Sequence, residues 1–149
     1  DDTPPLNAIQ PALVDHGAGR LVAYARSREG VVARTESSDD GRTWSPLRPA
    51  QPRQANPNSG LDALLLPAGQ TVLVLNPGPQ RLQLDAVLLA ADSHAWSSLI
   101  RIDEVTKGEV SYPSAILDSE QGVPVLRVSY TRNRREIVLR TFTLGGLNR

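Results

Sequence analysis

The sequence predicts an all-β chain of about three four-stranded blades, the repeat unit of a β-propeller. Three observations carry this. An apolar–turn–apolar pattern starts at Pro11, Asp62 and Pro113, each start 51 residues after the last. A third strand-like run follows each copy. No segment keeps a 3.6-residue apolar period between capping residues, so no helix competes for the chain. A repeat near 50 residues built of short strands and glycine turns reads as propeller blades.

Taken in order, the first copy runs Pro11 to Val14, a turn from Asp15 to Arg20, then Leu21 to Arg26. The second runs Asp62 to Leu66, the turn Pro67-Ala68-Gly69-Gln70, then Thr71 to Asn76. The third runs Pro113 to Leu117, a turn from Asp118 to Gly122, then Val123 to Tyr130. The third strands are Val31 to Thr35, Leu84 to Leu89 and Ile137 to Phe142. The stretch from Pro46 to Ser59 is rich in Pro and Asn. Between two copies it reads as an outer strand plus a crossover, not as a domain linker. The blades are expected over about 7–57, 58–108 and 109–149, in one partial propeller domain covering 1–149.

Composition narrows the function classes. A length of 149 residues suggests one domain. Sixteen basic residues balance sixteen acidic ones, so no global field draws the chain to nucleic acid or to an anionic membrane. Of the sixteen, only Lys107 is a lysine. Cysteine is absent, which excludes disulfides and thiolate metal sites and leaves the compartment open, secreted or periplasmic included. His16 and His94 are far apart and lack acidic partners at ligand spacing, so neither a metal nor any other cofactor is expected. No run of about 18 apolar residues exists to span a membrane. The chain has no methionine and starts Asp1-Asp2-Thr3, so a processed chain, an expressed piece or a fragment is expected.

One motif stands out. Ser37-Ser38-Asp39-Asp40-Gly41-Arg42-Thr43-Trp44 has the form Ser-x-Asp-x-Gly-x-Thr-Trp and follows the first copy's third strand. Its Ser and Asp side chains can bond turn backbone, its Gly can take a positive φ, and Trp44 is expected as an apolar anchor beneath the turn. A degenerate version, Ala91-Asp92-Ser93-His94-Ala95-Trp96, keeps the Trp 52 residues on and loses the Gly and Thr. Strand alternation separates two ends of each blade. The starts of first strands (Gln10, Leu61-Asp62, Tyr112) and the ends of second strands (Arg26, the Asn76-to-Arg81 loop, Arg132) collect at one end. The Ser-x-Asp turn follows a third strand and lies at the other.

This motif resembles the Asp-box of sialidases (neuraminidases) and related BNR-repeat β-propellers, and the chain resembles the last three blades of that family. Tyr24-Ala25-Arg26-Ser27-Arg28 is similar to the segment carrying the family's second carboxylate-binding arginine, which points to Arg26. Leu75-Asn76-Pro77-Gly78-Pro79-Gln80-Arg81 is similar to the segment carrying the third, which points to Arg81. Glu109-Val110-Ser111-Tyr112-Pro113-Ser114 is similar to the segment around the nucleophilic tyrosine, which points to Tyr112. The resemblance also implies a glutamate at the start of the first strand, where this chain has Gln10; either Glu109, in the Tyr112 loop, substitutes as the base or the glutamate lies elsewhere. Asp62 and Arg132 are further expected substrate contacts, from position.

The implied chemistry needs these residue types. Arginine grips a carboxylate with two charge-assisted bonds. A tyrosine nucleophile is the sialidase exception to the two-carboxylate plan of glycosidases. The implied activity is release of a terminal acidic sugar, sialic acid, from glycoconjugates. The first arginine and the acid/base aspartate belong to the family's first blades, so this chain alone is expected to be inactive. Three blades are half of a six-bladed ring and leave two open sheet faces. A missing N-terminal half or self-association is expected to close it. The alternative class is a non-catalytic carbohydrate- or protein-binding propeller of the same repeat. The cluster Arg132-Asn133-Arg134-Arg135 lacks an aromatic platform and reads as a charged hairpin loop, not a nucleic-acid patch.

Overall fold

A computed structural model describes residues 6–90 and 95–144. Among these residues every regular element is a strand. The first sheet contains β1 (Ile9–Asp15), β2 (Leu21–Arg26), β3 (Val32–Ser37) and the two-residue β4 (Arg48–Pro49). The second contains β5 (Asp62–Leu65), β6 (Thr71–Leu75), β7 (Gln83–Leu89) and β8 (Ser97–Glu104). The third contains β9 (Val110–Glu120), β10 (Val123–Arg132) and β11 (Glu136–Thr143). Each sheet is an antiparallel meander in chain order, four, four and three strands wide among the described residues. No helix among them is long and apolar enough to cross a membrane.

The middle sheet shows why the sequence folds this way. The run Thr71-Val72-Leu73-Val74-Leu75 is apolar at consecutive positions, and all of β6 is buried. Successive strand residues face opposite sides of a sheet, so such a run needs cover on both. Val72 and Val74 pack with Leu84, Leu126, Val128 and Tyr130, toward the third sheet. Leu73 and Leu75 pack with Val14, Val22, Tyr24 and Val32, toward the first. Each fully buried leucine here contributes about 1.5–3 kcal/mol of transfer free energy.

Among the described residues the outer sheets leave part of one side uncovered; on the first, Leu6 and Val31 cover only Ala25 and Ala33. Ile9, Leu13, Trp44 and Leu47 are exposed on the first sheet's side, and Ile116, Ile137 and Leu139 on the third's. Both open faces expected from three blades are therefore present.

The Ser-x-Asp turn folds as its residues dictate. Ser37 Oγ donates to Asp39 Oδ1 at 2.7 Å and accepts from the Gly41 amide at 3.0 Å. Asp39 accepts the Thr43 amide at 2.9 Å and the Thr43 hydroxyl at 2.7 Å. Trp44 departs from the expected apolar anchor. It is 41% exposed and lies over Gly41, its Nε1 donating to the Gly41 carbonyl at 3.0 Å. Its bond to the Gly41 carbonyl holds the indole against the turn itself. Of the degenerate version, residues 91–94 lie outside the described residues. Trp96 bridges sheets: its ring meets Tyr24 edge-on at 6.2 Å and its Nε1 donates to the Pro52 carbonyl at 2.9 Å.

Candidate functional site

The end of the sheets opposite the Ser-x-Asp turn is built by two matching irregularities. β1 has a register shift between Ile9 and Ala12, leaving Gln10 and Pro11 outside the ladder with β2. β10 has the same shift between Ser129 and Thr131, opposite Tyr112 and Pro113 of β9. Gln10 and Tyr112 both have φ of 54°. A residue in the left-handed region inside a strand re-aims its side chain out of the pleat, which is the ordinary use of a bulge. Both side chains are exposed as a result, Tyr112 at 45%.

Arg26 ends β2, and Arg81 closes the loop between β6 and β7. They converge on one acceptor that sequence reasoning passed over, the carbonyl oxygen of Asn58. Arg81 Nη2 donates to it at 3.0 Å and Arg26 Nη1 at 3.4 Å. Asn58 itself has a φ of 52° in the Pro57-Asn58-Ser59-Gly60 turn. The turn is pinned by Asn56 Oδ1, which accepts the Ser59 amide at 2.8 Å, and by a Ser59 hydroxyl bond to Asn76. Gly60 lies under the Tyr112 ring: a Cβ there would come within 3.1 Å of Tyr112 Cδ1.

Arg81 Cζ lies 5.5 Å from the Tyr112 ring centroid, within cation–π range. Donation from Arg81, and then from Arg26, holds the Tyr112 phenol below its ordinary value. Glu109 faces Arg81 at 3.8 Å, but its carboxylate is held by Arg134 at 2.9 and 3.3 Å and by the Ser111 hydroxyl at 3.0 Å. The Arg134 bond keeps Glu109 ionised to lower pH than a free glutamate.

The other expected contacts lie elsewhere. Asp62 is a staple between sheets, its Oδ1 accepting the Ala63 amide at 2.8 Å and its Oδ2 the Ala115 amide at 2.7 Å. Arg132 turns to β8, where its Nε stands 3.3 Å from Asp103 without hydrogen-bond alignment. Asp103 also accepts the buried Tyr130 hydroxyl at 2.6 Å. The structure thus brings together Arg26, Arg81, Tyr112 and Glu109, leaves Gln10 on the same end, and directs Asp62 and Arg132 to other partners. Asn58, Gly60 and Arg134 join the site unannounced. The turn letters Pro-Asn-Ser-Gly were the available signal for the first two. Among the described residues no group of three or more His, Asp or Glu could hold a metal ion.

Two guanidiniums thus converge beside an exposed phenol. Arg26 Nε is buried with no hydrogen-bond partner.

A family model described as "BNR repeat-like domain" matches residues 3–125. No curated protein matches the chain. Among solved structures, the chain is similar to a point mutant of the NanB sialidase from Streptococcus pneumoniae, with a TM-score of 0.60 and 17% identity. That match covers 83% of this chain and 20% of the other. It is similar also to the NanB sialidase in complex with a chlorobenzyl-ammonio-ethanesulfonate, with a TM-score of 0.59 and 17% identity, over 89% of this chain and 22% of the other. The chain therefore spans about a fifth of the length of these structures. At this identity the likeness is one of fold, and the three sheets are blades of a sialidase-like β-propeller.

Proposed function

This chain belongs to the BNR repeat-like domain family, and from that premise we propose that it carries part of a sialidase-like glycoside hydrolase site. One observation supports this reading above the others: Arg26, Arg81 and Tyr112 converge from two different sheets and the loop between strands, as an anionic sugar requires. In this reading Arg26 and Arg81 hold the substrate carboxylate. The Tyr112 phenolic oxygen attacks the anomeric carbon as the glycosidic C–O bond breaks. The bonding pair leaves with the aglycone oxygen, which takes a proton from an acid. Water then cleaves the glycosyl–tyrosine bond and Tyr112 regains its proton.

In this reading the acid, and the first of the three arginines, come from a missing N-terminal half or from a partner chain that also covers the open sheet faces. A phenol must lose its proton before it attacks, and its ordinary value near 10 makes that costly at neutral pH. The two cations help. Gln10 cannot take the proton, which leaves Glu109 as the carboxylate that this chain contributes. The substrate in this reading is a sialylated or other acidic glycan.

The test is release of sialic acid from a fluorogenic sialoside by the complete molecule, with Tyr112→Phe alongside. Release that Tyr112→Phe abolishes is expected. Undiminished release by the Phe variant removes Tyr112 as the nucleophile. A second reading, a non-catalytic carbohydrate-binding propeller, is favoured by Gln10 and by the engagement of Glu109 with Arg134 and Ser111. It predicts arginine-dependent glycan binding with no release.

A further inference from the structure

We infer that Arg134 is a positioning residue of this site: it occupies the Glu109 carboxylate so that the Arg81 guanidinium stays available to an anionic ligand. The inference rests on the acidic-sugar reading above.

Arg134 is placed with care. Arg132, Asn133, Arg134 and Arg135 form a β-turn closed by the Arg135 amide on the Arg132 carbonyl at 3.1 Å. Both central residues, Asn133 and Arg134, have φ of 54°, the signature of a type I′ hairpin turn. The turn is bolted to the segment that carries Glu109. The Asn133 amide donates to the Glu109 carbonyl at 2.8 Å, and the Glu109 amide donates to Asn133 Oδ1 at 3.2 Å. Gly108 makes this docking possible, because a Cβ there would overlap Asn133 Oδ1. Backbone geometry, not chance side-chain reach, therefore brings Arg134 over Glu109.

Three donors then engage the carboxylate. Oε1 accepts from Arg134 Nε and Ser111 Oγ, and Oε2 accepts from Arg134 Nη2. Arg81 remains 3.8 Å from Oε2, an ion-pair distance, and spends its hydrogen bond on the Asn58 carbonyl. The Glu109 side chain is only 15% exposed, so water cannot replace a lost partner cheaply. With Arg134 gone, Oε2 needs a donor, and Arg81 is the cation already facing it. A shift of about 1 Å closes that gap to ordinary hydrogen-bond length. Arg81 would then be neutralised by Glu109 and drawn from the Asn58 carbonyl. Arg134 itself is 72% exposed, so its removal leaves the fold intact.

The experiment is a double-mutant cycle in the complete molecule, with N-acetylneuraminic acid as the probe and calorimetric Kd as the readout. Arg134→Ala is expected to raise Kd about fivefold. In a Glu109→Gln background, which removes the competitor, the same substitution should change Kd by less than about twofold. Arg135→Ala, which removes another cation of the same turn, should also stay within about twofold. An equal loss in both backgrounds would mean that Arg134 acts only as a distant charge or a structural prop, and would overturn the inference. So would an unchanged Kd for Arg134→Ala in the original background. If the unsubstituted molecule does not bind the sugar, the acidic-sugar reading falls and this inference falls with it.

Discussion

The two ends of the blades use polar side chains in opposite ways. At the Ser-x-Asp turn, Ser37, Asp39 and Thr43 bond one another and the turn's own amides. At the Tyr112 end, two guanidiniums share one carbonyl, Arg26 Nε has no partner, and the phenol is exposed. The first end is closed chemistry that holds a shape. The second gathers cations around an exposed ring and a shared backbone carbonyl, an arrangement that does not close on itself. The conspicuous motif and the proposed site are therefore different things here, and they sit at opposite ends of the same strands.

The sharpest way to break this comparison is to empty the second end. Arg81→Ala removes a charged anchor whose partner carboxylate would be desolvated on binding. Such truncations cost on the order of 2–5 kcal/mol, so KM for a sialoside should rise roughly 100-fold in the complete molecule. A rise of less than threefold would mean that Arg81 serves the fold alone.

A subtler change tests whether the phenol's position matters. Gly60 has no Cβ to strike the ring, and its φ is not in the left-handed region, so alanine is conformationally allowed. The added methyl would come within 3.1 Å of Tyr112 Cδ1 and must tilt the ring by a few tenths of an ångström. For Gly60→Ala we expect kcat to fall about tenfold with KM little changed, since small misplacements of a reacting group are expensive. An unchanged kcat would show that the ring has room to spare.

Much of this was legible in the sequence, for a physical reason. Strands and turns are local: the runs 11–14, 21–26 and 71–76, with their glycine turns, fix element order and repeat. Alternation then assigns each end, so Arg26, Arg81 and Tyr112 could be placed together before any coordinates. What was not legible is set by backbone irregularity. The left-handed φ at Asn133 and Arg134 decides that Arg134 reaches Glu109 while Arg132 turns to Asp103, and position alone had favoured Arg132. Asp62 reads as a site residue at a strand start, yet its carboxylate is consumed by two amides, one of them 53 positions away. A carbonyl acceptor such as that of Asn58 carries no side-chain signal at all.

The smallest functional effect belongs to the other end, and it is informative for that reason. Asp39 is a half-exposed carboxylate that the Thr43 hydroxyl and amide, with the Ser37 hydroxyl, lower from 3.8 to about 2. A depressed folded-state value means that the unfolded chain takes up the proton first. The contribution of Asp39 to stability is then complete above about pH 4 and is lost as pH falls toward 2. Asp39→Ala should lower Tm at pH 7 while leaving sialoside hydrolysis and sugar affinity unchanged, because the turn contributes no atom to the Tyr112 end. Between pH 4 and 2 the unsubstituted chain should lose Tm faster than the alanine variant, and the two curves should approach. If the curves stay parallel, the turn's hydrogen bonds do not depend on the Asp39 charge. If activity falls with Tm held constant, the two ends are coupled, and their separation into shape and site fails.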